Sequence, residues 1–160
     1  MTRKLSEEIE FYRQQVYEGS PICNAYSNLI FFVQKLRTDF SKATTEYKVG
    51  SISLGYMDYT YFPFFDEFLR EKKLRFGLVL NHHQLRFELW VMAQNAEEQI
   101  RQWEKLKNLS WNQEKQAMPK YTMLDVVIEK DPNFEDLELL SDAIIQKSLA
   151  EAKKIYPFLE

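Results

Sequence analysis

Between Leu74 and Glu98 the chain carries two runs in which large apolar residues occupy every second position, separated by a short polar turn. Leu74, Phe76, Leu78 and Leu80 alternate with Arg75, Gly77, Val79 and Asn81, while Leu85, Phe87, Leu89 and Val91 alternate with Arg86, Glu88, Trp90 and Met92. Such alternation marks a half-buried strand, and two runs across one turn mark a hairpin. A turn over Asn81-His82-His83-Gln84 predicts a hairpin over 74–91 that pairs Leu80 with Leu85, Leu78 with Phe87, Phe76 with Leu89 and Leu74 with Val91. Every large aliphatic then lies on one face, a match that a one-residue slip would destroy. The other face sets Arg75 beside Trp90, Gly77 beside Glu88 and Val79 beside Arg86.

Helical spacing dominates elsewhere. Leu5, Ile9, Tyr12 and Val16 predict a first helix that stops at Gly19, a residue suited to the left-handed conformation after a helix. Ser20-Pro21 forms an N-cap and first helical position, after which Ile22, Tyr26, Leu29, Val33, Leu36 and Phe40 carry a longer apolar stripe. The two helices are expected to form a tight antiparallel hairpin. From Tyr47 the period changes to 2 through Ile52, Leu54 and Tyr56, a first strand with Gly50 and Gly55 at its flanks. In Met57–Lys73, Tyr59–Phe62 favour the end of a strand, and Pro63 with Phe64, Phe65, Phe68 and Leu69 favours a short helix.

After the hairpin, Asn95 and Glu98 stand at capping-box spacing ahead of a helix with Ile100, Trp103 and Leu106 on its core face. Tyr121–Glu129 alternates again, with Thr122, Leu124, Val126 and Ile128 on one side, and Asp131-Pro132-Asn133 breaks it. A last helix carries Leu137, Leu140, Ile144, Ser148, Ala152 and Ile155 up to Pro157. With no repeat or linker along the 160 residues, the expectation is a single α+β domain, 1–160, of order ααβαββαβα: an N-terminal helical hairpin, a mainly antiparallel sheet and a C-terminal helix.

Composition narrows the function classes more than it names one. Hydrophobic residues at 45% and charged residues at 28% are globular values. A formal charge of -3 gives no global attraction to nucleic acid or anionic lipid. The lone Cys23 excludes an internal disulfide, Met1–Phe11 lacks the apolar run of a secretory signal, and no apolar stretch approaches the roughly 18 residues of a membrane span. A cytoplasmic protein with no membrane partner is expected, as a monomer or a homodimer. Aromatic residues reach 15% and crowd between Tyr47 and Phe65, where they serve a core or a recognition surface.

Gly55–Phe62 (GYMDYTYF), Leu74–Trp90 (LRFGLVLNHHQLRFELW) and Gln94-Asn95, together with Tyr12, Gly19 and Ala25-Tyr26, resemble a family of small uncharacterised bacterial proteins, a domain of unknown function. The resemblance covers most of the chain. It implies a shared fold and a bacterial cytoplasmic setting, and it transfers no catalytic residue. A weaker likeness is topological: helix, three strands, helix, strand is similar to the restriction-endonuclease-like core. That core needs an acid on its second strand and an acid-x-lysine motif on its third, to hold a metal and assist an attacking water. Glu88-Leu89-Trp90 puts Trp90 in the lysine position, Gly77 stands where a partner acid is wanted, and Asp58 and Asp125 are distant. The resemblance therefore implies a nuclease-like fold without its chemistry.

No nucleophile-base pair, phosphate loop or metal-ligand set stands in the sequence, so no catalytic residue, metal ligand or cofactor is assigned. The ligand-binding candidates are Tyr56, Asp58, Tyr61, Arg75, Arg86, Glu88 and Trp90. Glu88 and Arg86 share the polar face of the hairpin, where they form either a structural ion pair or, with Gly77 opposite, a ligand notch; structural pairs are the commoner case. Arg75 beside Trp90 would make a cation–π contact. Asp58, among tyrosines, caps a turn or accepts from phenols.

The adjacent His82 and His83 lack further ligands at metal spacing and fit a solvated turn. Cys23 sits where a helix N-terminus favours its thiolate, yet no base accompanies it, and it fits a small buried hydrophobe. Leu69–Arg75 is the one basic run, a solvated helix end or a nucleic-acid contact. A non-catalytic binding or accessory protein is the leading expectation. Its competitor is a small-molecule site between the hairpin's polar face and the aromatic segment, walled by Tyr56, Tyr61 and Trp90.

Overall fold

The structure, a computed structural model, describes residues 3–160, so the first two residues of the Met1–Phe11 stretch lie outside it. Its elements run α1 (Leu5–Gln15), α2 (Pro21–Ala43), β1 (Lys48–Val49), β2 (Tyr59–Phe65), α3 (Glu67–Glu71), β3 (Leu74–Asn81), β4 (Arg86–Ala93), α4 (Ala96–Leu106), β5 (Leu124–Glu129) and α5 (Leu137–Ile155). The strands form one five-stranded antiparallel sheet in the order β1-β2-β3-β4-β5. The α+β class and the element order stand as expected, with the first strand region dividing into the short edge strand β1 and the long β2. No helix among the described residues is long and apolar enough to cross a membrane.

The hairpin's faces follow the alternation, but its register differs from the expected one by two residues. Leu80 pairs with Phe87, Leu78 with Leu89, Phe76 with Val91 and Leu74 with Ala93. A shift of two preserves every side chain's face, so hydrophobic alternation alone cannot detect it. Asn81 decides it. It continues β3, pairs with Arg86, and its Oδ1 accepts the His83 and Gln84 amides, tightening the loop over 82–85. Leu85 takes a left-handed conformation (φ 48°) and is 42% exposed, leaving the apolar face to which the alternation had assigned it.

Pro63 lies inside β2, not at a helix start, between Gly50 of the edge segment and Gly77 of β3. Proline lacks the N–H that a ladder requires, so the carbonyl opposite it needs another donor. Gly50 N–H donates to the Pro63 carbonyl at 2.8 Å, and the Gly50 carbonyl receives Arg37 Nε at 2.6 Å from α2 in place of the absent proline amide. The short helix α3 starts instead at Asp66, whose Oδ1 accepts the Leu69 amide.

One face of the sheet packs Phe62, Phe64, Phe76, Leu78, Leu80, Phe87, Leu89 and Val91 against Phe32, Val33, Leu36 and Phe40 of α2 and Leu140, Ile144, Ala152 and Ile155 of α5. Phe40 meets Phe62 and Phe64 at ring-centroid distances of 5.6 and 4.7 Å, and such tilted or edge contacts add to the large area that aromatic rings bury. Ser20 caps α2 by accepting the Cys23 amide, and Asp136 caps α5 by accepting that of Leu139.

Two helix faces differ from their expected packing. α1 forms, but it buries none of its residues, and Leu5, Ile9 and Tyr12 remain exposed. In α4, Asn95 caps as expected, yet the buried stripe is Glu98, Gln102 and Leu106, while Ile100 is 55% exposed. Glu98 is tolerated there because Arg101 and Gln102 donate to its carboxylate, which holds its pKa below the usual range.

Candidate functional site

The other face of the sheet buries a separate small cluster of Val79, Trp90 and Met92, with Tyr59 and Tyr61 packed on it. The parity that sends Phe62 and Phe76 into the core points Tyr59, Tyr61, Arg75, Gly77, Glu88, Trp90 and Met92 to this side. A cavity of about 410 Å³ opens here, lined among others by Tyr56, Asp58, Tyr61, Arg75, Trp90 and Tyr121. Five of the seven residues selected from sequence therefore meet in one place.

The aromatic wall is continuous. Tyr59 lies 4.9 Å from Trp90 and 6.0 Å from Tyr121, ring centroid to ring centroid. Burial pushes the Tyr59 phenol pKa up, and the Glu88 charge adds to the shift, so it remains a hydrogen-bond donor at neutral pH. The rim is a turn over Gly55–Asp58 with left-handed backbone at Gly55 (φ 73°) and Met57 (φ 61°). Asp58 Oδ1 ties it down by accepting the Tyr56 amide at 2.8 Å and the Tyr59 amide at 2.7 Å, and those backbone bonds hold the Asp58 pKa below its ordinary value. A Cβ on Gly55 would strike the Tyr59 carbonyl and come within 2.7 Å of Asp58 Oδ1, so glycine is required at that corner. The turn presents Tyr56 at 95% exposure beside the cavity.

Arg86 and Glu88 do not line the cavity. Glu88 is buried, with Oε1 accepting Trp90 Nε1 at 2.8 Å and Oε2 accepting Arg86 Nε at 2.7 Å and Asn81 Nδ2 at 3.0 Å. Both carboxylate oxygens are committed to the fold, and their effect on the site is indirect: they fix the Trp90 indole in its plane. The ligand notch expected beside Gly77 is closed, because Gly77 pairs with Trp90 and the Met92 methyl fills the space a Cβ would take. Arg75 pairs with Met92, so the expected Arg75–Trp90 neighbourhood gives way to the Tyr59–Trp90 contact.

The acids expected near one another are engaged separately. Asp125 pairs with Lys115 at 2.7 Å, Asp58 binds backbone amides, and Glu88 is enclosed. Among the described residues no three His, Cys, Asp or Glu side chains cluster closely enough to hold a metal ion. His82 is half-buried, unlike the solvated turn residue expected. Its Nε2 lies 2.8 Å from Thr60 Oγ1, its ring packs against Tyr26 at 5.5 Å, and burial lowers its pKa.

A family model described as a domain of unknown function (DUF7000) matches residues 5–159. The chain belongs to that family. Among curated proteins and among solved structures no significant match exists. In this DUF7000 chain the chemistry on offer is that of the cleft itself. Sequence reasoning missed Tyr59, Met92, Gln94 and Tyr121. Tyr59 was legible as a neighbour of Tyr61 on one strand face once Pro63 was allowed inside the strand; Tyr121 lies 31 residues from Trp90 and reaches the cleft only through β4–β5 pairing.

Proposed function

We propose that this DUF7000 chain is a non-catalytic binding protein whose cleft on the outer sheet face receives a small molecule with a planar group, within a cytoplasmic, bacterial setting. The carrying observation is the aromatic cavity: Tyr59, Tyr61, Trp90 and Tyr121 beside about 410 Å³ of open space, with the Arg75 guanidinium at its margin. Concave sites with apolar walls and few polar groups are the usual form of small-molecule sites, and planar ligands gain from stacking on rings already fixed in place. Trp90 is so fixed, through Glu88, and the lone cysteine, Cys23, is free, in keeping with a reducing compartment.

The test is a thermal-shift screen of planar metabolites against the full chain, repeated with Tyr61→Ala and Tyr121→Ala, which trim the walls and leave the main core untouched. Ligand binding to the folded state raises Tm by mass action. At least one planar compound should raise Tm in the unsubstituted protein and lose that effect in both variants. Planar compounds that never shift Tm, or that shift it equally in the variants, overturn the reading.

A further inference from the structure

A second cavity, about 500 Å³, adjoins the aromatic cleft and shares Arg75 and Gln94 with it. Its lining contains Lys48, Arg70, Lys73 and Arg75 and no carboxylate. Among the described residues eight ion pairs occupy other cations, and none involves these four. In a chain with 24 acidic and 21 basic residues, the convergence of four unpaired cations on one concavity is a local departure from the overall charge. An anion in the bay would relieve their mutual repulsion.

Arg75 connects the two cavities and alone among the four has a buried side-chain nitrogen without a partner. Its Nε is buried with no hydrogen-bond partner, an arrangement that native structures resolve with a partner more often than not. The turn that brings Arg70 and Lys73 together has Lys73 in the left-handed region (φ 58°), where non-glycine residues are uncommon, and the Lys73 carbonyl is held by the Gln94 amide at 2.9 Å. Backbone held in this way recurs at ligand-binding positions. Arginine forks match the oxygens of a phosphate, and lysines add point charge around it. A single carboxylate would leave most of the charge in the bay uncompensated.

We propose that the ligand of the aromatic cleft carries phosphate, bound in the Lys48–Arg70–Lys73–Arg75 bay, so that the site takes a nucleotide-type molecule with its planar base against Tyr61 and Trp90. This inference rests on the cleft being a binding site. Nucleic acid is the disfavoured source of the same chemistry, because the four cations converge on one concavity that adjoins the cleft and the chain's net charge of -3 gives no general pull on a phosphate backbone.

The experiment is calorimetric titration of the full chain with the four nucleoside diphosphates ADP, GDP, CDP and UDP, their nucleosides, inorganic pyrophosphate and a random DNA duplex. The same titrations are made on the Arg70→Ala/Lys73→Ala double variant, whose two positions are exposed, so its apo Tm should match the unsubstituted protein. At least one diphosphate should bind about tenfold or more tightly than its nucleoside, pyrophosphate should compete with it, and the double variant should erase the difference. A nucleoside that binds as tightly as its diphosphate, or a diphosphate unaffected by the double variant, overturns the phosphate bay while leaving the aromatic cleft standing. Pyrophosphate binding with no diphosphate or nucleoside reaching the cleft overturns the nucleotide-type assignment, and duplex binding tighter than any diphosphate overturns it in favour of a nucleic-acid surface.

Discussion

Replacing Glu88 separates a structural carboxylate from a ligand-binding one. The side chain is 5% exposed and accepts from Trp90 Nε1, Arg86 Nε and Asn81 Nδ2. Glu88→Ala strands all three donors. The Trp90 and Asn81 bonds are buried, and each stranded buried donor costs about 1–3 kcal/mol. The Arg86 side chain is 24% exposed and recovers part of its hydration, so its share is at the low end. The three shares sum to at least about 3 kcal/mol, in the range for removing one partner of a buried pair. For a domain of this size that corresponds to a Tm lower by roughly 6–12 °C.

Glu88→Gln keeps the shape but offers one oxygen to three donors and turns its amide toward one of them, so about 2 kcal/mol is expected. Urea unfolding followed by tryptophan fluorescence supplies both values. A double-mutant cycle with Arg86→Ala isolates the ion pair from the other two bonds. If both Glu88 variants unfold within about 0.5 kcal/mol of the unsubstituted protein, as surface substitutions do, the network is not structural and the reasoning fails.

Three further outcomes follow from particular contacts. Gly55→Ala forces a Cβ onto the Tyr59 carbonyl at φ 73° and should cost about 1–2 kcal/mol in urea unfolding; an unchanged midpoint would show that the rim turn is not fixed as described. Arg37→Met removes the donor that stands in for the missing Pro63 amide and should cost about 1–3 kcal/mol, with faster amide exchange along the β1–β2 edge; a neutral result would mean that water satisfies the Gly50 carbonyl equally well. His82 has its pKa lowered below 6.5 by burial against Tyr26 and Thr60, Asp58 opposing and His83 assisting, so the unfolded chain takes up a proton at a pH where the folded one does not. Its contribution is complete above about pH 6.5 and is lost as pH falls through 6.5 toward the folded pKa; Tm measured between pH 8 and 5 should therefore decline less in His82→Gln, and parallel profiles would refute the assignment.

Alternation fixed which face each hairpin residue takes and left the step along the strand open, because residues two apart are equivalent in parity. Asn81 and Leu85 held the missing information: an Asx turn that extends β3, and a leucine forced outward by a left-handed backbone. Pro63 misled because the local proline rule is overridden from a distance: its strand position is made tolerable by Arg37, which lies 26 residues away in sequence. In α4 the apolar spacing of Ile100, Trp103 and Leu106 pointed to a face that the structure rotates toward Glu98 and Gln102, because a salt-bridged glutamate can be buried while its arginine stays wet. Five of the seven candidate residues gather at one cavity since they share one strand parity or one distinctive turn. Arg86 and Glu88 shared the parity too, and only three-dimensional bonding distinguished them as scaffold.

The parity that builds the core also determines the chemistry available on the reverse of the sheet. α2 and α5 cover one face and take the phenylalanines and leucines with them, whereas the buried residues of the other face form only the small Val79–Trp90–Met92 cluster with two tyrosines. A sheet face without helical cover is normally made polar. Here it is aromatic, and Trp90 is anchored by its polar end, Nε1 donating to Glu88. Trp90 is 5% exposed with Tyr59 and Tyr61 packed against it, and Arg75, of the same parity, brings charge to the margin of that surface. Substitutions at these outward positions therefore alter the lining of the cleft while the inward set preserves the fold, a separation that the two-residue period of a strand supplies directly.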